Sequence, residues 1–113
     1  MYLLTWNPKE QQIEASFGGR ITRREAIHFA EEFLAIMDQH IEFQVLIDFS
    51  TITGMTDCAR DILDDCRESA IYSGAEKVTF ITRDEREARS MTEQRLQQVM
   101  DGRERYISYA LTG

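Results

Sequence analysis

The stretch LIDFSTITGMTDCARDIL, residues 46–63, decides the fold of this chain. It begins as an apolar run and ends with the spacing of a helix. Between them lie Ser50, Thr51, Thr53, Thr56, Asp57 and Cys58. Upstream the apolar run extends to FQVLIDF, 43–49, which reads as a central strand covered on both faces. From about Asp57 to Ser73, Ala59, Ile62, Leu63, Cys66 and Ala70 recur at helical spacing, and Gly74 supplies a stop. The intervening hydroxyls, acid and thiol then occupy a turn where a strand hands over to a helix.

The same logic runs outward. Residues 1–6 read as a short strand and NPKE as a turn with Pro8 at its first central position. Residues 11–17 alternate, with Ile13, Ala15 and Phe17 on one face. Gly18 and Gly19 interrupt that strand, and Arg20 and Ile21 extend it after a bulge. Thr22 and Glu25 have capping-box spacing, and Ala26, Phe29, Ala30, Phe33 and Met37 form the stripe of a first helix that ends near His40. KVTFIT, 77–82, is a further strand. Thr82 and Glu85 repeat the box spacing and open a third helix with a thin apolar stripe, closed by Gly102. RYISYAL, 105–111, alternates as an outer strand. The order β-β-α-β-α-β-α-β predicts one α/β domain over residues 1–113, a mixed but mostly parallel sheet of four to five strands with three helices. The helices are expected to gather on one face and leave the other partly open.

Composition narrows the function. Thirteen basic against twenty acidic residues give a net charge of −7, which argues against nucleic acid as the main partner. Residues 83–105 carry six arginines and six acids, so the whole excess of negative charge lies in residues 1–82. No apolar run approaches the roughly 20 residues of a membrane span, and the start MYLLTWNPKE lacks the pattern of a signal peptide. A cytoplasmic location is the expectation. Cys58 and Cys66 on one helix are separated by roughly 12 Å along its axis, too far for a disulfide.

Chemistry-bearing patterns are sparse. His28 and His40 share no ligand-like spacing with the cysteines, no nucleophile–base pair is evident, and FGGR is not a phosphate-binding loop. The expectation is a non-enzymatic protein without a cofactor or metal. What stands out is the 50–58 turn, at the carboxyl ends of the parallel strands where α/β sheets place their sites. A helix start there presents free amides and the positive end of its dipole. Ordinary capping by Thr56 accounts for part of the pattern as well. Along the second helix Asp57, Asp61 and Asp65 lie one turn apart, and Asp64 and Glu68 form another like-charge pair, relieved partly by Arg60 and Arg67. This face reads either as simply solvated or as an acidic docking surface for a basic partner.

The run VLIDFSTITGMTDCARDILDDCRESAIYSGAEKVTFIT, 45–82, resembles the core of a STAS domain, the module of bacterial anti-sigma-factor antagonists. Asp48-Phe49-Ser50 resembles the family's Asp-Leu-Ser strand end, Ile52 and Met55 match apolar turn positions, and GGRITRREAI, 18–27, resembles its Gly-rich entry to the first helix. The similarity covers residues 11 to about 100. In the family a Ser within Asp-Ser-Ser-Gly is phosphorylated by a partner kinase. Here that position falls on Asp57, with Thr56 before it and Cys58 and Ala59 after it. Three readings follow: a module locked in a phosphate-like state, a shifted phosphoacceptor at Thr56, or a relative that kept the binding surface and lost the switch. The third is favoured, because loss needs no coincidence; a carboxylate also carries one charge whereas a phosphate carries about −1.5 to −2.

The resemblance implies a regulatory protein-interaction module. It would meet a protein partner, a kinase-type anti-sigma factor or another regulator, through Ser50, Thr53, Thr56, Asp57, Cys58 and Asp61, and pair with itself as a homodimer through an open face. The alternative is a small-molecule or lipid-binding STAS-like domain, whose pocket is expected among Phe29, Phe33, Met37 and Phe80.

Overall fold

A computed structural model describes residues 1–108 of the chain. Five strands form one sheet in sequence order: β1 (Tyr2–Asn7), β2 (Gln12–Ile21), β3 (Gln44–Met55), β4 (Val78–Thr82) and β5 (Glu104–Ser108). β1 pairs antiparallel with β2, and every later pairing is parallel. Between them run α1 (Arg23–Met37), α2 (Asp57–Tyr72), α3 (Glu85–Gln94) and α4 (Leu96–Met100). Parallel strands laid down in sequence order by right-handed crossovers carry all their helices to one face.

The register shows which face. Ile13, Val45 and Val78 form one row, and Ala15, Ile47, Phe80 and Tyr106 the next, all buried. α1 covers this face with Ala26, Phe29, Phe33 and Met37, and α2 with Ala59, Leu63, Cys66 and Ala70. Among the described residues no helix covers the opposite face, although Ile81 is buried there. Leu46 and Ile107 are half-buried there and Leu3 is exposed, so β3 is covered on one side rather than two.

Three local expectations need correction. β3 does not stop at residue 49: it runs through Met55, and Ser50–Thr53 belong to a strand. Threonines at 51 and 53 flank an inward Ile52, which is strand alternation. The third helix is two helices, broken at Arg95 (φ −120°, ψ 33°), which makes four among the described residues. Its cap is Asp84, whose carboxylate accepts from the Glu87 amide at 2.8 Å. Thr82, expected in that role, instead donates to the carbonyls of Asp84 and Ile107. The other two caps form as expected: Thr22 accepts from Glu25 at 3.3 Å and Thr56 from Ala59 at 3.1 Å. α1 ends at Met37, slightly before His40. Gly74, with φ +97°, follows the Ser73 C-cap in the left-handed region where glycine is favoured. Of the expected last strand, residues 109–111 lie outside the described residues.

Candidate functional site

β4 pairs with β3 only as far as Asp48. Beyond that point β3 continues beside β2 alone, with Gly18 opposite Thr51, Gly19 opposite Ile52, Arg20 opposite Gly54 and Ile21 opposite Met55. The result is a two-stranded parallel ribbon that projects past the carboxyl edge of the sheet. Two register shifts bend it, between Ser16 and Gly18 and between Gly19 and Arg20. Gly19 sits at φ +70°, where a side chain would be strained. The Thr51 hydroxyl donates to the Phe17 carbonyl at 3.0 Å across the bend, and the Ser50 amide donates to the Asp48 carboxylate at 2.8 Å.

The ribbon feeds directly into α2. The Thr56 amide donates to the Ile21 carbonyl at 3.2 Å, so the helix start is tied to β2. Asp57 then stands at the first helical position with its side chain 99% exposed, and its only ion-pair partner among the described residues is Arg60 at 3.6 Å. Cys58 and Asp61 are exposed as well, and Thr53 is exposed on the ribbon. Thr53, Asp57, Cys58 and Asp61 therefore face solvent at one end of the sheet. Ser50 and Thr56 are half-buried; Thr56 caps the helix and the Ser50 backbone closes onto Asp48. Both cysteines are free.

The acidic face of α2 is not uniformly solvated. Asp64 pairs with Arg67, as their spacing suggested, and through it joins a wider network that the sequence did not suggest. Arg67, 6% exposed, donates to Asp64 at 2.9 Å and to Glu104 of β5 at 3.1 Å. Glu104 is buried and accepts from the Tyr106 hydroxyl at 2.7 Å. Arg95, at the α3–α4 break, donates to Asp64 at 2.8 Å. Arg67 and Glu104 are buried and half-buried Asp64 and Arg95 complete the balance, two cations against two carboxylates. Burial works against the charged form of Asp64, but its bonds to Arg67 and Arg95 outweigh it and hold the carboxyl below its ordinary range. Burial likewise disfavours the Arg67 cation, and Asp64 and Glu104 more than compensate. Burial, reinforced by the bond to Glu104, raises the Tyr106 phenol.

Between α2 and α3 lies a cleft of about 500 Å³. Phe49, Ile52, Phe80 and Tyr106 line its floor, and Leu63 and Met91 its sides. The pocket expected among Phe29, Phe33 and Met37 does not exist in that form. Those three side chains are buried in the core beneath α1, and of the expected four only Phe80 reaches the cleft. Among the described residues no three His, Cys, Asp or Glu side chains converge as a metal site, and no helix is long and apolar enough to cross a membrane.

Parallel strands in sequence order, helices on one face and a helix opening at the carboxyl edge define a known architecture. The chain has a SpoIIAA-like fold. It superposes on a protein of the DUF3478 family with a SpoIIAA-like fold from Shewanella loihica, with a TM-score of 0.69 and 12% identity over 95% of this chain and 84% of that one. It also superposes on the unphosphorylated anti-sigma-factor antagonist SpoIIAA, with a TM-score of 0.56 and 11% identity over 84% of this chain and 98% of that one. No sequence-family model and no curated protein matches the chain. The fold is thus shared with both structural neighbours at only 11–12% sequence identity.

Proposed function

We propose that this chain is a regulatory protein-interaction module that docks a partner on the shoulder formed by the β2–β3 ribbon and the first turns of α2. The observation that carries this reading is the joint exposure of Thr53, Asp57, Cys58 and Asp61 at the carboxyl edge of a STAS-like sheet. The shoulder is anchored from behind by the Thr56 cap and the Thr56–Ile21 backbone bond, so a partner meets a preformed surface. Asp57 and Asp61, one helical turn apart, give that surface a fixed negative charge, which suits a basic patch on the partner.

In this role Asp57 is a permanent single charge where a STAS relative would add and remove a phosphoryl group. The module is then a constitutive binder, of a kinase-type anti-sigma factor or another regulator. Thr56 is the remaining phosphoacceptor candidate; a phosphoryl group there would lie at the start of α2, where free amides favour anions. Capture of partners by the wild-type chain and by Asp57→Lys tests the reading. The partner bound by wild type is expected to be lost from the variant, and unchanged capture removes Asp57 from the interface. Mass spectrometry of protein from its native cell decides on Thr56 separately.

A further inference from the structure

The cleft between α2 and α3 adjoins the docking shoulder, sharing Gly54, Met55, Arg60 and Asp61 with it, and its lining has a consistent chemistry. Its floor is a ladder of rings on adjacent strands. Phe49 and Phe80 stack at 5.8 Å with planes 14° apart, and Phe80 and Tyr106 at 5.3 Å with planes 8° apart. Rings stacked along the cross-strand direction point their edges off the sheet, toward the cleft. Ring edges carry the positive part of the aromatic quadrupole and favour the face of another aromatic group.

The walls are rich in guanidinium groups with donors to spare. Among the described residues the Arg60 guanidinium has one ion pair, a 3.6 Å approach to exposed Asp57. Arg83 commits Nε to Glu87 at 3.0 Å. Arg95 commits Nη2 to Asp64, and its Nε is buried with no acceptor. A buried N–H without a partner is rare in a native fold and marks a place where an acceptor is missing. Four arginines against three carboxylates line the cleft, a slight positive balance in a chain of net charge −7.

The geometry points to a binding site for a small aromatic carboxylate in this cleft, its ring lying on the Phe49–Phe80–Tyr106 edges and its carboxylate held by Arg95 with Arg60 or Arg83. The size fits, since small-molecule sites commonly occupy ~300–1,000 Å³. The polarity fits too: an apolar floor and a few placed donors are what such sites use, and the guanidinium fork matches a carboxylate.

Calorimetric titration of the full chain with naphthalene-2-carboxylate and with naphthalene-2-carboxamide, its uncharged analogue, tests the assignment. The carboxylate is expected to saturate one site and to bind at least about tenfold tighter than the amide. Arg95→Lys, which keeps a cation beside Asp64 but loses the guanidinium fork, is expected to weaken the carboxylate by about tenfold and the amide far less. Met91→Trp, which fills the cleft, is expected to abolish both. Amide chemical shifts on the native chain give a readout without mutation: changes centred on Gly54, Thr82 and Met91 support the site. Absence of saturation, equal affinity for the two probes, or shifts centred elsewhere overturn it.

Discussion

α1 and the α3–α4 pair cover the same face of one sheet by opposite means. α1 buries Ala26, Phe29, Phe33 and Met37, and Phe29 stacks on Phe33 and leans on Phe17. α3 buries only Ala88, and α4 buries no residue. What holds the second pair is largely polar: Arg95 reaches Asp64, which shares Arg67 with buried Glu104. Apolar side chains close the space beneath a helix because they interdigitate at crystal-like density. Ion pairs fix two points and leave the volume between them unfilled. The cleft lies on the polar side of the molecule for that reason.

The contrast can be broken most severely on each side by a single truncation. Phe33→Ala is expected to cost about 3–5 kcal/mol, read by chemical denaturation, since the aromatic side chain is fully enclosed. Glu104→Ala is expected to cost a comparable ~3–5 kcal/mol, because it strips a buried cation of a partner. The two differ in what repairs them. Adding Arg67→Met to Glu104→Gln removes both charges, keeps an acceptor for Tyr106 and leaves Asp64 paired with Arg95. That double variant is expected to return to within about 1–2 kcal/mol of wild type. A double variant as unstable as Glu104→Ala would show that the network does more than balance charge.

The pH dependence sharpens the same comparison at a smaller scale. Burial, aided by the charge of Asp65, pushes the Cys66 thiol from its ordinary value near 9 up to about 11. Its folded pKa is raised, so the stability it contributes is complete below pH ~9 and is lost as pH rises through about 11. The raised Tyr106 phenol acts in the same direction. Denaturation midpoints are therefore expected to fall above pH ~9, and Cys66→Ala is expected to flatten part of that fall. Asp64, held low by its arginines, contributes stability that is present above the ordinary Asp range and lost in acid. Smaller still is the difference in local opening: amides of α3 and α4 are expected to exchange faster than those of α1, because fewer buried contacts must break. Equal protection would contradict the view of α3–α4 as the loosely seated side.

What could be read from the sequence was whatever depends on near neighbours. Thr22 and Thr56 announced their helices, and the stripe Ala59, Leu63, Cys66 and Ala70 gave the inner face of α2. What escaped depends on distant partners. Ser50–Met55 looked like a turn because hydroxyls dominate it, yet pairing with Gly18–Ile21 makes it a strand. Thr51 and Thr53 are β-branched and flank Ile52, so the alternation was present but outvoted by composition. Arg67 and Glu104 are 37 residues apart, and each alone looks like a surface charge. One signal existed: Glu104 shares the strand parity of Tyr106 and Ser108, and Arg67 lies beside Cys66 on the inner side of α2. The exposed Thr53, Asp57, Cys58 and Asp61 fall at the strand-to-helix handover that the STAS resemblance singled out.

Cys58 offers a native probe of that shoulder, since it is exposed while Cys66 is buried. The rate at which N-ethylmaleimide alkylates Cys58 can be measured in the free chain and in its complex with the captured partner. If the ribbon and the start of α2 form the docking surface, that rate drops at least about tenfold on complex formation while the fold stays intact. A Cys58 that reacts equally fast in the complex, with the partner demonstrably bound, would place the interface elsewhere on the molecule.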